Sequence, residues 1–157
     1  FNTCVDYGCA KGFLVHALRI IGCHAFGEDI SEYAISHCHP EVKDYVSAPN
    51  ANRYDLLICK DVLEHVEVDD MPSVLQSFKK KSNQFFFAVP LGDNDRFRIR
   101  EYEVDITHVT KKDEQWWIDM FQSQGFKLVD FSYNFGSIKE KWMKVDPHGN
   151  GFFVMEL

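Results

Sequence analysis

Thr3-Cys4-Val5-Asp6-Tyr7-Gly8-Cys9-Ala10-Lys11-Gly12 is the stretch whose reading decides the fold. The apolar segment Thr3 to Tyr7 runs straight into a turn of small residues. Leu14, Val15, Leu18 and Ile21 then recur at helical spacing until Gly22 offers a stop. A strand, a glycine turn and a helix in that order make a candidate cradle for a nucleotide-like ligand, because small residues let the ligand approach the backbone. A dinucleotide fingerprint would need glycines at 8, 10 and 13, whereas the chain has Gly8, Ala10 and Phe13. A phosphate-binding P-loop would need Lys-Ser or Lys-Thr after its last glycine, and Gly12 is followed by Phe13 and Leu14. The spacing argues against NAD, ATP and GTP.

Working outward, Ala25 to Ile30 reads as a second strand, and Ser31 can cap a helix from Glu32 to His37 that Pro40 closes. Val42 to Val46 is a weak third strand, Ser47 to Arg53 a polar loop, and Tyr54 to Cys59 a buried strand. Asp70 and Pro72 suit the start of a helix from Met71 to Lys80, and Phe85 to Val89 is apolar enough for a central strand. Thr110 and Asp113 match a capping box before a helix carrying Trp116, Trp117, Met120 and Phe121, which stops at Gly125. Phe126 to Tyr133 and Gly151 to Leu157 read as closing strands. Strands alternating with helices predict a mostly parallel α/β sheet of about seven strands, with helices on both faces and ligands bound beyond the carboxyl ends of the strands.

A length of 157 residues sets the expectation of a single domain spanning 1–157. Apolar residues at 45% exclude a disordered chain. No apolar run approaches the roughly 20 residues that cross a bilayer, so no membrane partner is expected. Five cysteines, an odd number set mostly in apolar segments, suit reduced thiols and a cytoplasmic location. The formal charge of −7 lies entirely in the first half: residues 1–78 hold 5 basic and 12 acidic side chains, and 79–157 hold 12 of each. That imbalance disfavours nucleic acid as a partner. Lys79, Lys80 and Lys81 read as a solvated helix end.

Three segments together carry a resemblance to a known family. Val5 to Gly12 is followed by Gly27-Glu28-Asp29-Ile30-Ser31 and then by Tyr54-Asp55-Leu56-Leu57-Ile58-Cys59-Lys60-Asp61-Val62-Leu63-Glu64-His65-Val66. In this order they resemble the successive motifs of the class I S-adenosylmethionine-dependent methyltransferases, and Asp105-Ile106-Thr107-His108-Val109-Thr110 with Gly125-Phe126 resembles the later part of the small-molecule type. The resemblance implies a Rossmann-like class I methyltransferase fold with an antiparallel last strand. It also implies S-adenosylmethionine as cofactor, with S-adenosylhomocysteine as product. Asp29, 17 residues past Gly12, can accept hydrogen bonds from both ribose hydroxyls. Asp6 would help place the ammonium of the methionine moiety, and Gly8, Ala10, Gly12, Ile30, Lys60 and Asp61 complete the expected cofactor set. Ala10 stands where the family often has glycine. The loop from Ser47 to Asn52 supplies no acidic partner for an adenine amino group, which leaves only polar contacts there.

Methyl transfer needs in-line placement of nucleophile and sulfonium more than covalent help. The expected reaction is methylation of a small molecule or sugar, with oxygen the preferred acceptor atom. His65 and His108 are the candidate catalytic bases, since a neutral imidazole can take a proton near pH 7. The competing structural readings are a packing role for His65 and a loop hydrogen bond for His108. Arg96, Arg98 and Arg100 alternate with Phe97 and Ile99, and their basic face could recognise an acidic acceptor or simply pair with Glu101, Glu103 and Asp105. Cys23-His24 and His37-Cys38-His39 match no strong zinc signature, and no metal is expected. A lid is expected to be missing or supplied by upstream residues, and a homodimer is possible. The alternatives are a non-catalytic cofactor-binding domain and a nucleotide-dependent oxidoreductase.

Overall fold

Alternation of side chains along the apolar strands places one residue in each of two cores. In the computed structural model, which describes all 157 residues, the strands are β1 (Thr3–Tyr7), β2 (His24–Glu28), β3 (Val46–Ser47), β4 (Leu56–Lys60), β5 (Gln84–Pro90), β6 (Gly92–Asp93), β7 (Arg96–Phe97), β8 (Lys127–Ser132) and β9 (Asn150–Glu156). The helices are α1 (Phe13–Ile20), α2 (Glu32–Ser36), α3 (Met71–Lys79), α4 (Glu114–Ser123) and α5 (Glu140–Met143). Val5, Leu57, Cys59, Phe85 and Phe87 face a large core with α3 and α4, closed by Trp117, Phe121 and Phe153. Cys4, Ala25 and Ile58 face a smaller core with Val15 of α1 and Val42. Full burial of a Phe or Leu contributes about 1.5–3 kcal/mol, so the larger face holds most of the apolar stabilisation.

Seven strands form one sheet in the order β3-β2-β1-β4-β5-β9-β8. The first five pair in parallel, and β9 runs antiparallel between β5 and β8. This is the expected mostly parallel seven-stranded sheet with helices on both faces. The chain winds outward from β1 in one direction to β3 and in the other to β5. The carboxyl ends of β1 and β4 therefore open a crevice at the point where the winding reverses. No helix is long and apolar enough to cross a membrane, and all five cysteines are free thiols.

Several local expectations are corrected. Val42 to Tyr45 lies in a 3-10 helix, Pro40–Tyr45, because His39 and Pro40 start a turn there, and β3 is left with only Val46–Ser47. The second strand ends at Glu28, so Asp29 stands just beyond it. Asp70 precedes α3 without capping it. The cap of α4 is Asp113, whose carboxylate accepts from the Trp116 N–H at 2.8 Å, while Thr110 donates to the Val66 carbonyl at 2.6 Å. The solvated-end reading of Lys79, Lys80 and Lys81 fails for Lys81, which is 7% exposed. Its ammonium meets the Glu28 carboxylate at 2.7 Å and donates to the Asn50 carbonyl at 2.5 Å. Tyr54 adds a long hydroxyl contact to Glu28 at 3.4 Å.

This buried pair ties the end of β2 to the α3–β5 connection. Removing one partner of a buried pair strands the other charge, which costs about 3–5 kcal/mol. Lys81→Met should therefore lower stability by about 3 kcal/mol in urea unfolding, and adding Glu28→Gln to it should restore a large part of the loss.

Candidate active site

The glycine turn is held by two consecutive residues, the last of β2 and the one just beyond it. The N–H groups of Gly8 and Cys9 both donate to the Glu28 carbonyl, at 2.7 and 3.1 Å. The Ala10 N–H donates to Asp29 Oδ2 at 2.7 Å, and the Ser31 N–H to Asp29 Oδ1 at 2.8 Å. Ser31 in turn caps α2 as expected, accepting from the Ala34 N–H at 3.1 Å. Gly8 has φ +77°, and a Cβ there would stand 2.3 Å from Val62 Cγ2. Only glycine fits. Ala10 also adopts a left-handed conformation, φ +47°, and its exposed methyl points away from the packed turn. The carboxyl ends of β1 and β4 enclose a cavity of about 470 Å³, bounded by Tyr7, Gly8, Asp29, Ile30, Asp61, Val62, His65, Val66 and Val74. That volume suits a cofactor-sized ligand.

Carboxyls gather on the wall of the cavity and behind it. Burial dominates at Asp6; Lys60 opposes it, Asp29 and Asp61 reinforce it, and the pKa is pushed up to about 7. Burial also acts to raise Asp61, but the ammoniums of Lys139 and Lys60 both touch its carboxylate and hold its pKa below the ordinary value. Lys139, from the connection between β8 and β9, has a side chain only 6% exposed and also donates to Asn150 Oδ1 at 2.7 Å. The Tyr102 hydroxyl donates to the same Asn150 oxygen at 2.9 Å, and the Trp142 ring packs 5.3 Å from that of Tyr102. Glu64 is 1% exposed, and burial together with the Asp61 charge pushes its pKa up to about 8.

The two histidines singled out in the sequence are brought together. Residues Leu63–His65 form a 3-10 turn whose Leu63 and Glu64 are buried. The Glu64 carbonyl accepts from the N–H groups of Val109 and Thr110, at 2.9 and 3.0 Å, which pins the loop bearing His108 against His65. Their rings lie 4.6 Å apart, edge to face. His108 Nδ1 lies 2.8 Å from the Tyr102 carbonyl, which can only accept, so Nδ1 carries the proton. His65 Nδ1 lies 2.8 Å from Thr107 Oγ1, whose hydrogen goes to Asp105 at 2.6 Å, so this Nδ1 is also protonated. Both rings are left with an Nε2 lone pair. Burial, with His108 beside it, holds the His65 pKa below its ordinary value.

Of the expected cofactor set, Gly8, Asp29, Ile30 and Asp61 bound the cavity. Gly12 packs instead on Val42 and Val46, and Lys60 shares the face of Ile58, two residues earlier, so only its ammonium turns toward Asp61. Arg98 is clamped by Asp93 at 2.7 Å, Glu114 at 2.7 Å and the His148 carbonyl at 2.9 Å, so its partners are not Glu101, Glu103 or Asp105. His39 stacks on His16 beside Glu41, not on Cys23 or His24. Glu64, Tyr102, Lys139 and Asn150 escaped the sequence reading. The Glu64-His65 dipeptide just past a strand end was a usable signal for the first, and nothing local marks the other three.

A family model described as a methyltransferase domain matches residues 1–130. No curated protein sequence matches the chain. Among solved structures, a SAM-dependent methyltransferase from Archaeoglobus fulgidus is similar with a TM-score of 0.73 at 15% identity, over 99% of this chain and 86% of that one. The mitomycin 7-O-methyltransferase MmcR is similar with a TM-score of 0.73 at 14% identity, over 98% of this chain and 48% of that one. CalO1, a methyltransferase of calicheamicin biosynthesis in its SAH-bound form, gives 0.70 at 14%, over 98% and 48%. The chain thus spans about half the length of the last two. The family match covers most of the sequence, and the sheet order, the glycine turn and the acidic end of β2 agree with it: this chain belongs to the class I S-adenosylmethionine-dependent methyltransferases.

Proposed function

We propose that this chain transfers the methyl group of S-adenosylmethionine to a hydroxyl oxygen of a small molecule or sugar. The observation that carries the reading is the pair of Nε2 lone pairs at His65 and His108, set beside a cavity bounded by the glycine turn and Asp29. The residues present fit the cofactor. Each Asp29 oxygen is engaged by a single backbone N–H and keeps a lone pair for a ribose hydroxyl. Ile30, 85% exposed at the rim, offers an apolar face that a bound adenine would cover. Gly8, Ala10 and Gly12 shape the turn, and Asp61 on the cavity wall and the buried Asp6 behind it, both under the influence of Lys60, supply carboxyls suited to a cationic ligand.

When bound, the cofactor would supply an electrophilic methyl group on a positively charged sulfur that leaves as a neutral thioether. The chain's own work is placement. Asp29 and the glycine turn hold one end of the ligand. His65, on the cavity wall, keeps an unprotonated nitrogen on the acceptor side, with His108 packed against it.

Two results test this. S-adenosylhomocysteine should bind in calorimetric titration and NAD should not. Asp29→Asn, which keeps the shape and one acceptor oxygen, should weaken binding at least tenfold; a folded chain that binds no S-adenosylhomocysteine would sink the reading. Asp6 gives a pH signature. Its raised pKa means the folded state holds a proton between about pH 4 and pH 7 that the unfolded chain has released. Stability should fall as pH rises through that window, by up to about 1.4 kcal/mol per pH unit, and Asp6→Asn should flatten the slope. Because a cation favours the ionised form, cofactor binding at pH 6.5 should release protons into the buffer, and the release should be absent in Asp6→Asn.

A further inference from the structure

We propose that Glu64, His65 and His108 form a binding site for a divalent first-row transition-metal ion, beside the cavity and open toward it. A carboxylate oxygen of Glu64 and one ring nitrogen from each histidine lie within 4.8 Å of one another. A single general base needs one lone pair, and here three donor groups converge.

The unpartnered atom is the strongest sign. Glu64 is 1% exposed and its Oε2 has no hydrogen-bond partner, although its backbone carbonyl is fully used by Val109 and Thr110. A buried carboxyl oxygen without any hydrogen-bond partner is rare and costly, and it calls for a group that the protein itself does not provide. The rings are prepared for the same group. His65 gives its Nδ1 proton to Thr107, which is tied to Asp105, and His108 gives its own to the Tyr102 carbonyl. Second contacts of this kind fix the tautomer and orientation of metal-binding imidazoles. The two segments that bear the ligands are locked together by the Glu64 carbonyl and by Thr110 Oγ1 on the Val66 carbonyl at 2.6 Å. Asp61 bounds the same cavity, and Asp105 Oδ2 lies 3.8 Å from His108 Nε2, so further negative charge faces the ion.

Two imidazoles and one carboxylate favour Mn²⁺, Co²⁺ or Zn²⁺ over the all-oxygen sites of Mg²⁺ and Ca²⁺. Three protein ligands leave coordination positions open, and His65 is the exposed member, on the cavity side. What the ion does there rests on the hydroxyl-methylation reading: it would lower the pKa of an acceptor hydroxyl, whose proton leaves to solvent, so that the imidazoles ligate instead of titrating. Ion binding itself does not depend on that reading.

The test is titration of the chelator-stripped full chain with MnCl₂, followed by electron paramagnetic resonance, and with CoCl₂, followed by visible absorption. One equivalent should bind. Glu64→Gln and His108→Ala should each weaken uptake at least tenfold; His65→Ala, at an exposed ring that folding does not need, should do the same. S-adenosylhomocysteine affinity, measured in parallel, should be retained by all three variants, so a missing metal site and a missing cofactor site give different results. Absence of stoichiometric uptake overturns the proposal. So does uptake that survives in all three variants but is lost in His16→Ala, which would lodge the ion at the surface group His16, His39 and Glu41.

Discussion

Glu28 holds the working edge of this molecule together. Its carboxylate is buried against the Lys81 ammonium, and its carbonyl receives the N–H groups of both Gly8 and Cys9. The next residue, Asp29, receives the N–H of Ala10. Three successive donors of the glycine turn are therefore fixed by two successive residues, the last of β2 and the one after it. The turn cannot drift without breaking these hydrogen bonds to a residue that a buried ion pair anchors, and the cavity inherits its shape from that constraint. Gly27 completes the fit, because a Cβ there would stand 2.6 Å from the Cys9 sulfur.

The same edge is crowded with like charge. Asp6, Asp29, Asp61 and Glu64 lie near one another, and only Lys60 and Lys139 answer them at close range. Burial and mutual repulsion raise Asp6 and Glu64, whereas Asp61 is held ionised by its two lysines. A chain selected for stability alone would not place so many carboxyls in one corner. Local conflict of this kind is expected where a site is built to receive positive charge from outside.

Strand β4 was legible in the sequence because Leu56 to Cys59 is a continuous apolar run, and so was the turn, because Gly8 and Gly12 punctuate a strand–helix junction. β3 was misjudged because the extended look of Val42 to Val46 yields to the turn started by His39 and Pro40. The role of Lys81 was invisible because its partner lies 53 residues away and is reached only after β1, β2 and β4 have paired. His65 and His108 were each legible by residue type. Their meeting was not, since it depends on the Glu64 carbonyl gathering a loop more than 40 residues downstream. Lys139 lies on an irregular connection with no periodicity, and only the closed sheet brings it to Asp61.

The placement of the tryptophans turns the chain into its own optical instrument. Trp117 has no exposed surface in the large core, and its emission follows the integrity of the packed sheet. Trp142 packs at a tilt against Tyr102, whose carbonyl orients His108 and whose hydroxyl shares Asn150 with Lys139. Events at the histidine pair reach that indole through a single intervening side chain. Intrinsic fluorescence therefore reports two separate quantities without an attached dye, folding from Trp117 and the Trp116 ring that meets it edge to face, and occupancy of the acceptor side from Trp142.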